Sequence, residues 1–294
     1  MSCHNITPLQ DFHVEYLIYY AISGIAVGLL AGLFGVGGGI IMVPILTFSF
    51  YQLGFPRDII YHTALGSSLT CILFTSFSSL LTHAKRGAVD KQILFYLIPT
   101  VLFGTAIGAA FAGSLKSKEL KFVFIFFIFI FSFKMLLGGR KKKTSIQVAN
   151  EEFADQAESE IRPLPILFHN FIGILIGFSS ALVGVGGGVF TSTYMLALRY
   201  PIHKAIGTSA AIGFPIAIAG CLSYMWIGWN HPSLPEFSLG FIYLPAVAGI
   251  ILTSFPFAYL AAKFAHSLSK ERLRFIFASF LFFVGIVMLS SEFF

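Results

Sequence analysis

The stretch ALVGVGGGVFTST, Ala181 to Thr193, repeats one that stands 149 residues earlier, GLFGVGGGIIMVP, Gly32 to Pro44. Each holds four glycines in five residues, set in an apolar run. Glycine is a poor helix former and leaves its backbone open to whatever lies beside it. A helix should break there, and the lengths on either side say how. Val14–Tyr51 is 38 residues and Leu164–Arg199 is 36, against about 20 for one crossing of a bilayer. Yet the part after each cluster, Ile40–Tyr51 or Val189–Arg199, is 12 or 11 residues, only about 18 Å of helix. A hairpin fits both lengths: a helix in, a glycine break at membrane depth, and a short helix returning to the same side.

The rest of the chain supplies the membrane. Of 294 residues 56% are hydrophobic and 11% charged, with a mean hydropathy of +0.85. A soluble domain carries about a quarter charged residues, so the solvent here is lipid. Apolar blocks near the spanning length recur throughout, which makes this an all-α, multi-pass integral membrane protein. The first 13 residues hold no Lys or Arg, and no removable signal peptide is expected. Cys3, Cys71 and Cys221 have no metal or redox spacing and read as apolar filler. The net charge of +6 comes from loops beside the membrane, so no nucleic-acid partner is expected.

Landmarks recur in one order, as in an internal duplication. HTALGSS (His62–Ser68) pairs with HKAIGTS (His203–Ser209), Ile98–Pro99 with Leu244–Pro245, and KSKELKF with LSKERLRF before the last helix of each half. The predicted domains are a first transmembrane repeat at 1–138, a polar linker at 139–163 and a second repeat at 164–294. Each repeat is a glycine-broken helical hairpin plus three transmembrane helices. With a hairpin in each half the repeats are inverted, and fourteen cations fall on one face against four on the other, Lys134 lying within a span. The positive-inside bias then puts the linker in the cytoplasm and both termini outside. Single crossings at the clusters would even the count out.

The clusters also suggest a site. A broken helix in lipid leaves unpaired N–H and C=O groups, tolerated where they line a cavity or a ligand. The first N–H groups of a helix carry partial positive charge and bind anions, and two inverted copies would aim two such ends at one centre. The substrate-binding candidates are therefore Gly37, Gly38, Gly39, Gly186, Gly187 and Gly188. The hydroxyls of the following helix starts join them: Thr63, Ser67, Ser68, Thr208 and Ser209. Hydroxyls also bond back to their own helix, and glycines at four-residue spacing, such as Gly24, Gly28 and Gly32, serve helix packing. An alanine at Gly38 or Gly187 is expected to fold normally and to weaken anion binding. His62 and His203 read as interfacial loop residues, His169 as a polar tie between helices, and Phe122–Phe133 as a lipid-facing wall. All thirteen Asp and Glu residues lie in loops, the linker or helix ends, which argues against a cation substrate. No Lys-Ser/Thr follows the glycines, so a P-loop is excluded, and G-x-S-x-G and H-E-x-x-H are absent. No enzyme activity, cofactor or metal is expected. An anion channel and, behind it, an intramembrane enzyme stay open as alternatives, as does a homo-oligomer.

The glycine clusters, Pro44 after the first, the ALGSS and AIGTS helix starts and the two-half layout together resemble the sulfite exporter TauE/SafE family of bacterial membrane proteins. The resemblance covers nearly the whole chain. It implies a secondary transporter, and an exporter, of a small sulfur-containing anion such as sulfite or an organosulfonate, in the bacterial inner (plasma) membrane. The second half has Thr193 where Pro44 stands, so the two half-sites need not be equivalent.

Overall fold

The computed structural model describes residues 14–34, 38–85, 87–137, 165–265 and 270–290. The linker, both chain ends and Gly35–Gly37 lie outside these residues. The described residues form helices α1 (Val14–Phe34), α2 (Gly39–Gln52), α3 (Ile60–Lys85), α4 (Lys91–Ser114) and α5 (Ser117–Leu137), then α6 (Ile166–Val183), α7 (Gly188–Ala197), α8 (Ile202–Gly228), α9 (Leu244–Ala265) and α10 (Lys270–Ser290). Among them there is no strand, only an isolated bridge between Ser238 and Tyr243. By length and composition α3, α4, α6 and most of α8 can each cross a membrane. The outer surface suits lipid. Trp226 is 82% exposed and Phe95 76%, which water would not favour. The Phe-rich α5 is apolar all round but not lipid-facing all round. Phe122, Phe126 and Phe133 are exposed, while Phe124, Ile128 and Phe131 are buried, and Phe127 and Phe131 pack on Phe190 of α7.

Local chemistry sets several boundaries. Asp90 caps α4, its Oδ1 accepting from the Gln92 and Ile93 amides at 3.0 Å, which satisfies N–H groups the first turn leaves free. Pro165 and Pro201 precede α6 and α8 in extended conformation, as proline's fixed φ favours.

The packing pattern maps onto itself when the halves are exchanged. α1 packs on α9 as α6 packs on α4, and α2 on α3 as α7 on α8. α3 lies along α8, and α5 along α10. The first two pairs close through glycine. A methyl carbon on Gly24 would strike the Thr253 hydroxyl, and one on Gly173 the Thr100 hydroxyl. One turn on, Gly28 faces the Ser254 carbonyl and Gly177 the Val101 carbonyl. These contacts pair Thr100 with Thr253 and Val101 with Ser254, corresponding glycines being the guide. They correct the pairing of Ile98–Pro99 with Leu244–Pro245 by seven residues, about two turns. Pro99 sits inside α4, whereas Pro245 sits in the first turn of α9, where a missing N–H costs nothing. The other two pairs are antiparallel. Along α3, Gly66, Thr70 and Ser76 meet Tyr224, Cys221 and Gly213 of α8. In α5 and α10, Ser132 donates to the Ala278 carbonyl at 2.8 Å, Phe129 meets Phe282 and Ile128 meets Gly285.

Candidate functional site

The second break is built turn by turn. α6 ends on Gly184, left-handed at φ 66°, its N–H and that of Val185 both donating to the Ser180 carbonyl. Left-handed glycine is the common way to end a helix without a side-chain clash. The last carbonyls of α6 find partners from neighbouring helices: Ser68 Oγ of α3 donates to the Gly184 oxygen at 2.8 Å and Tyr224 Oη of α8 to the Ala181 oxygen at 3.0 Å. Gly187, at φ 68°, then starts α7, its carbonyl accepting from Thr191 N at 2.8 Å. At the first break Gly38 stands at φ 75° and its carbonyl accepts from Ile41 and Met42.

The two breaks touch. A methyl carbon on Gly39 would lie 2.9 Å from the Gly184 oxygen and 2.9 Å from Val185 Cα. Ile72 of α3 wedges beside both, against Gly39 and Gly186, and Gly213 of α8 closes on the Gly186 carbonyl. Among the described residues nothing lies within 4 Å of an added Cβ on Gly188, the first residue of α7. The Cβ side of Gly39 is thus packed against the second break, whereas that of Gly188 is unfilled among the described residues; the first N–H groups of α7 have no partner within the helix. Two buried hydroxyls flank the open end, and sequence reading missed both. Ser180 Oγ lies 3.2 Å from where a Gly187 methyl would be, and Thr191 is one turn into α7; among the described residues neither hydroxyl has a hydrogen-bond partner. The signal was present in FSSALVGVGGGVFTST, since the corresponding flanks of the first cluster, LLAGLFGVGGGIIMVP, hold no hydroxyl at all.

The remaining sequence candidates are distributed as follows. Gly37 lies outside the described residues. Gly38, Gly39, Gly186, Gly187, Gly188 and Ser68 converge at the touching breaks. Ser67 and Thr208 engage loops instead: Ser67 Oγ accepts from Tyr243 N at 3.0 Å, just before α9, and Thr208 Oγ1 from Asp90 N at 2.8 Å, just before α4. The preceding glycines make the same approach, Gly66 to the Phe241 carbonyl and Gly207 to the Ala88 carbonyl. Ser209 bonds back to Ile206 O at 2.9 Å, and Thr63 is buried with no partner for its hydroxyl. His62 is no loop residue: it is buried in α3, its Nε2 3.1 Å from Ala112 O and its ring stacked on Phe241, while His203 is exposed. His169 ties α6 to Tyr194 of α7 through Nδ1. One expectation is corrected. At positive φ an added Cβ is strained, so an alanine at Gly38 or Gly187 perturbs the fold whatever its effect on a ligand.

A cleft of about 360 Å³ opens between α1, α2 and α10, lined by residues such as Ile22, Ile40, Pro44, Phe48 and Val284. Its lining is nearly all apolar, which suits hydrocarbon and not an anion. Among the described residues no group of His, Cys, Asp and Glu could hold a metal ion.

Long apolar helices and two glycine breaks that touch define an all-α membrane protein. A family model described as Sulfite exporter TauE/SafE matches residues 20–288, and the chain belongs to that family. It is 34% identical over 273 residues to a "Probable membrane transporter protein" of Haemophilus influenzae, covering 93% of this chain and 98% of that one. A protein of the same description from Methanocaldococcus jannaschii is 27% identical, with 91% and 93% covered. A third, YunE of Bacillus subtilis, is 30% identical, with 72% and 79% covered. No solved structure matches the chain.

Proposed function

We propose that the protein is a secondary transporter of a small anion, with sulfite or an organosulfonate as first candidates and export as the direction. It works across the bacterial cytoplasmic membrane by alternating access between inverted halves. The observation that carries this reading is the unfilled space beside Gly188, where among the described residues nothing lies within 4 Å of an added Cβ, at the first turn of α7 and next to the contact between the breaks. Such an end attracts anions, and inverted-repeat transporters use it at mid-membrane. The antiparallel runs of α3 on α8 and α5 on α10 support inverted repeats at 1–138 and 164–294, since those pairs join corresponding helices. The cation count supports a cytoplasmic linker at 139–163.

The test is uptake into liposomes containing the purified protein, comparing sulfite, thiosulfate, methanesulfonate, sulfate and chloride. A transporter gives saturable uptake with counterflow for at least one anion. Unsaturating flux without counterflow would make it a channel, and no anion flux at all would end the reading.

A further inference from the structure

We infer that the anion is bound from one side only, at the start of α7, with the Ser180 and Thr191 hydroxyls as its donors, and that it carries a single charge. The inference rests on the anion reading above. Both hydroxyls are fully buried and, among the described residues, unpartnered, and a buried polar group without a partner costs about 1–3 kcal/mol. Ser180 Oγ faces Gly187, and Thr191 is held one turn into α7 by its amide bond to the Gly187 carbonyl. Together with the first amides of α7 they form a donor set with no acceptor assigned to it. The α2 end has no such set: Ala31 and Met42 stand at the corresponding positions, and Gly39 is packed against protein backbone.

The charge state follows from what the site lacks. No charged residue occurs from Gly39 to Gln52, from Gly66 to Thr82, from Phe171 to Leu198 or from Ala205 to Asn230. These are the parts of α2, α3, α6, α7 and α8 that meet at the breaks; Lys134 of α5 is exposed. The donors are neutral dipoles, and a helix end offers only about half a charge. The cost of taking an ion out of water rises with the square of its charge, from an already large value for one charge. Neutral donors offset that cost more readily for a monoanion than for a dianion, and two hydroxyls with one helix end are a small set for the latter.

The test pairs binding with melting for Ser180→Ala and Thr191→Val in the full-length protein, using methanesulfonate and sulfate as probes. Removing an orphan hydroxyl should leave the empty protein's melting temperature unchanged or higher. Each variant should nevertheless bind methanesulfonate about tenfold or more weakly, and Thr191→Ser, which restores a hydroxyl, should recover most of it. Methanesulfonate should outcompete sulfate on the wild type. Unchanged methanesulfonate affinity in both folded variants would overturn the assignment of the donors while leaving the anion reading intact. Tighter binding of sulfate would overturn the single charge. A wild type that binds and carries neither probe, nor any anion of the liposome series, would fail both readings together.

Discussion

At the first break a methyl carbon on Gly39 would meet the Gly184 carbonyl and Val185 Cα at 2.9 Å each; at the second, one on the corresponding Gly188 would meet nothing within 4 Å among the described residues. The letters at these positions are the same, and so is the left-handed glycine that precedes each helix. Only the surroundings differ. Among the described residues the repeated motif therefore does two jobs: one copy packs backbone on backbone, and the other leaves space beside Gly188, near two hydroxyls without partners. Glycine serves both because it lets backbone approach backbone and also leaves room when nothing approaches.

The largest effects should come where the halves behave alike. Gly28→Ala and Gly177→Ala drive a methyl into backbone on the facing helix, at 2.5 Å from the Ser254 oxygen for Gly28, and each should cost up to about 3 kcal/mol. Melting curves should fall together, and transport should fall only as folded protein is lost. If one half tolerated the change, the matched helix packing would be refuted. Next come Gly38→Ala and Gly187→Ala, each placing a side chain in left-handed backbone at about 1–2 kcal/mol. At Gly187 Ile216 must also shift; thermal denaturation measures both. Smaller again are Ser67→Ala and Thr208→Val, which each leave one loop amide unpaired, Tyr243 N or Asp90 N. About 1 kcal/mol each is expected. Faster amide exchange should appear at the start of α9 in the first case and of α4 in the second, and exchange spread evenly over both loops would contradict the pairing.

Much of this was legible from particular residues. The glycine runs set against segment lengths located the breaks before Gly39 and Gly188, and the spacing of Gly24 and Gly28 announced a packed helix face. The proline dipeptides misled because proline fits both the first turn of a helix, as Pro245 does, and its interior, as Pro99 does; letters alone do not distinguish the two. Ser67 and Thr208 were visible as hydroxyls, but their partners are loop amides from the other half of the chain, 176 and 118 residues away. Ser180 and Thr191 do not stand out in the sequence, because a serine or threonine in a helix ordinarily bonds back to its own turn. Only the packing shows that these two do not.

The most direct measurement is the matched pair Gly39→Ala and Gly188→Ala, each followed by a melting curve and by anion uptake into liposomes. Gly39→Ala must displace backbone at 2.9 Å and should lower stability by about 1–3 kcal/mol, with uptake per folded molecule unchanged. Gly188→Ala meets nothing and replaces a helical glycine, so stability should hold or rise by up to about 1 kcal/mol. Its methyl occupies the space assigned to the anion, and uptake should drop about tenfold, the loss of one charge-assisted hydrogen bond. Normal uptake by a stable Gly188→Ala protein would contradict the assignment of the open α7 end as the binding site.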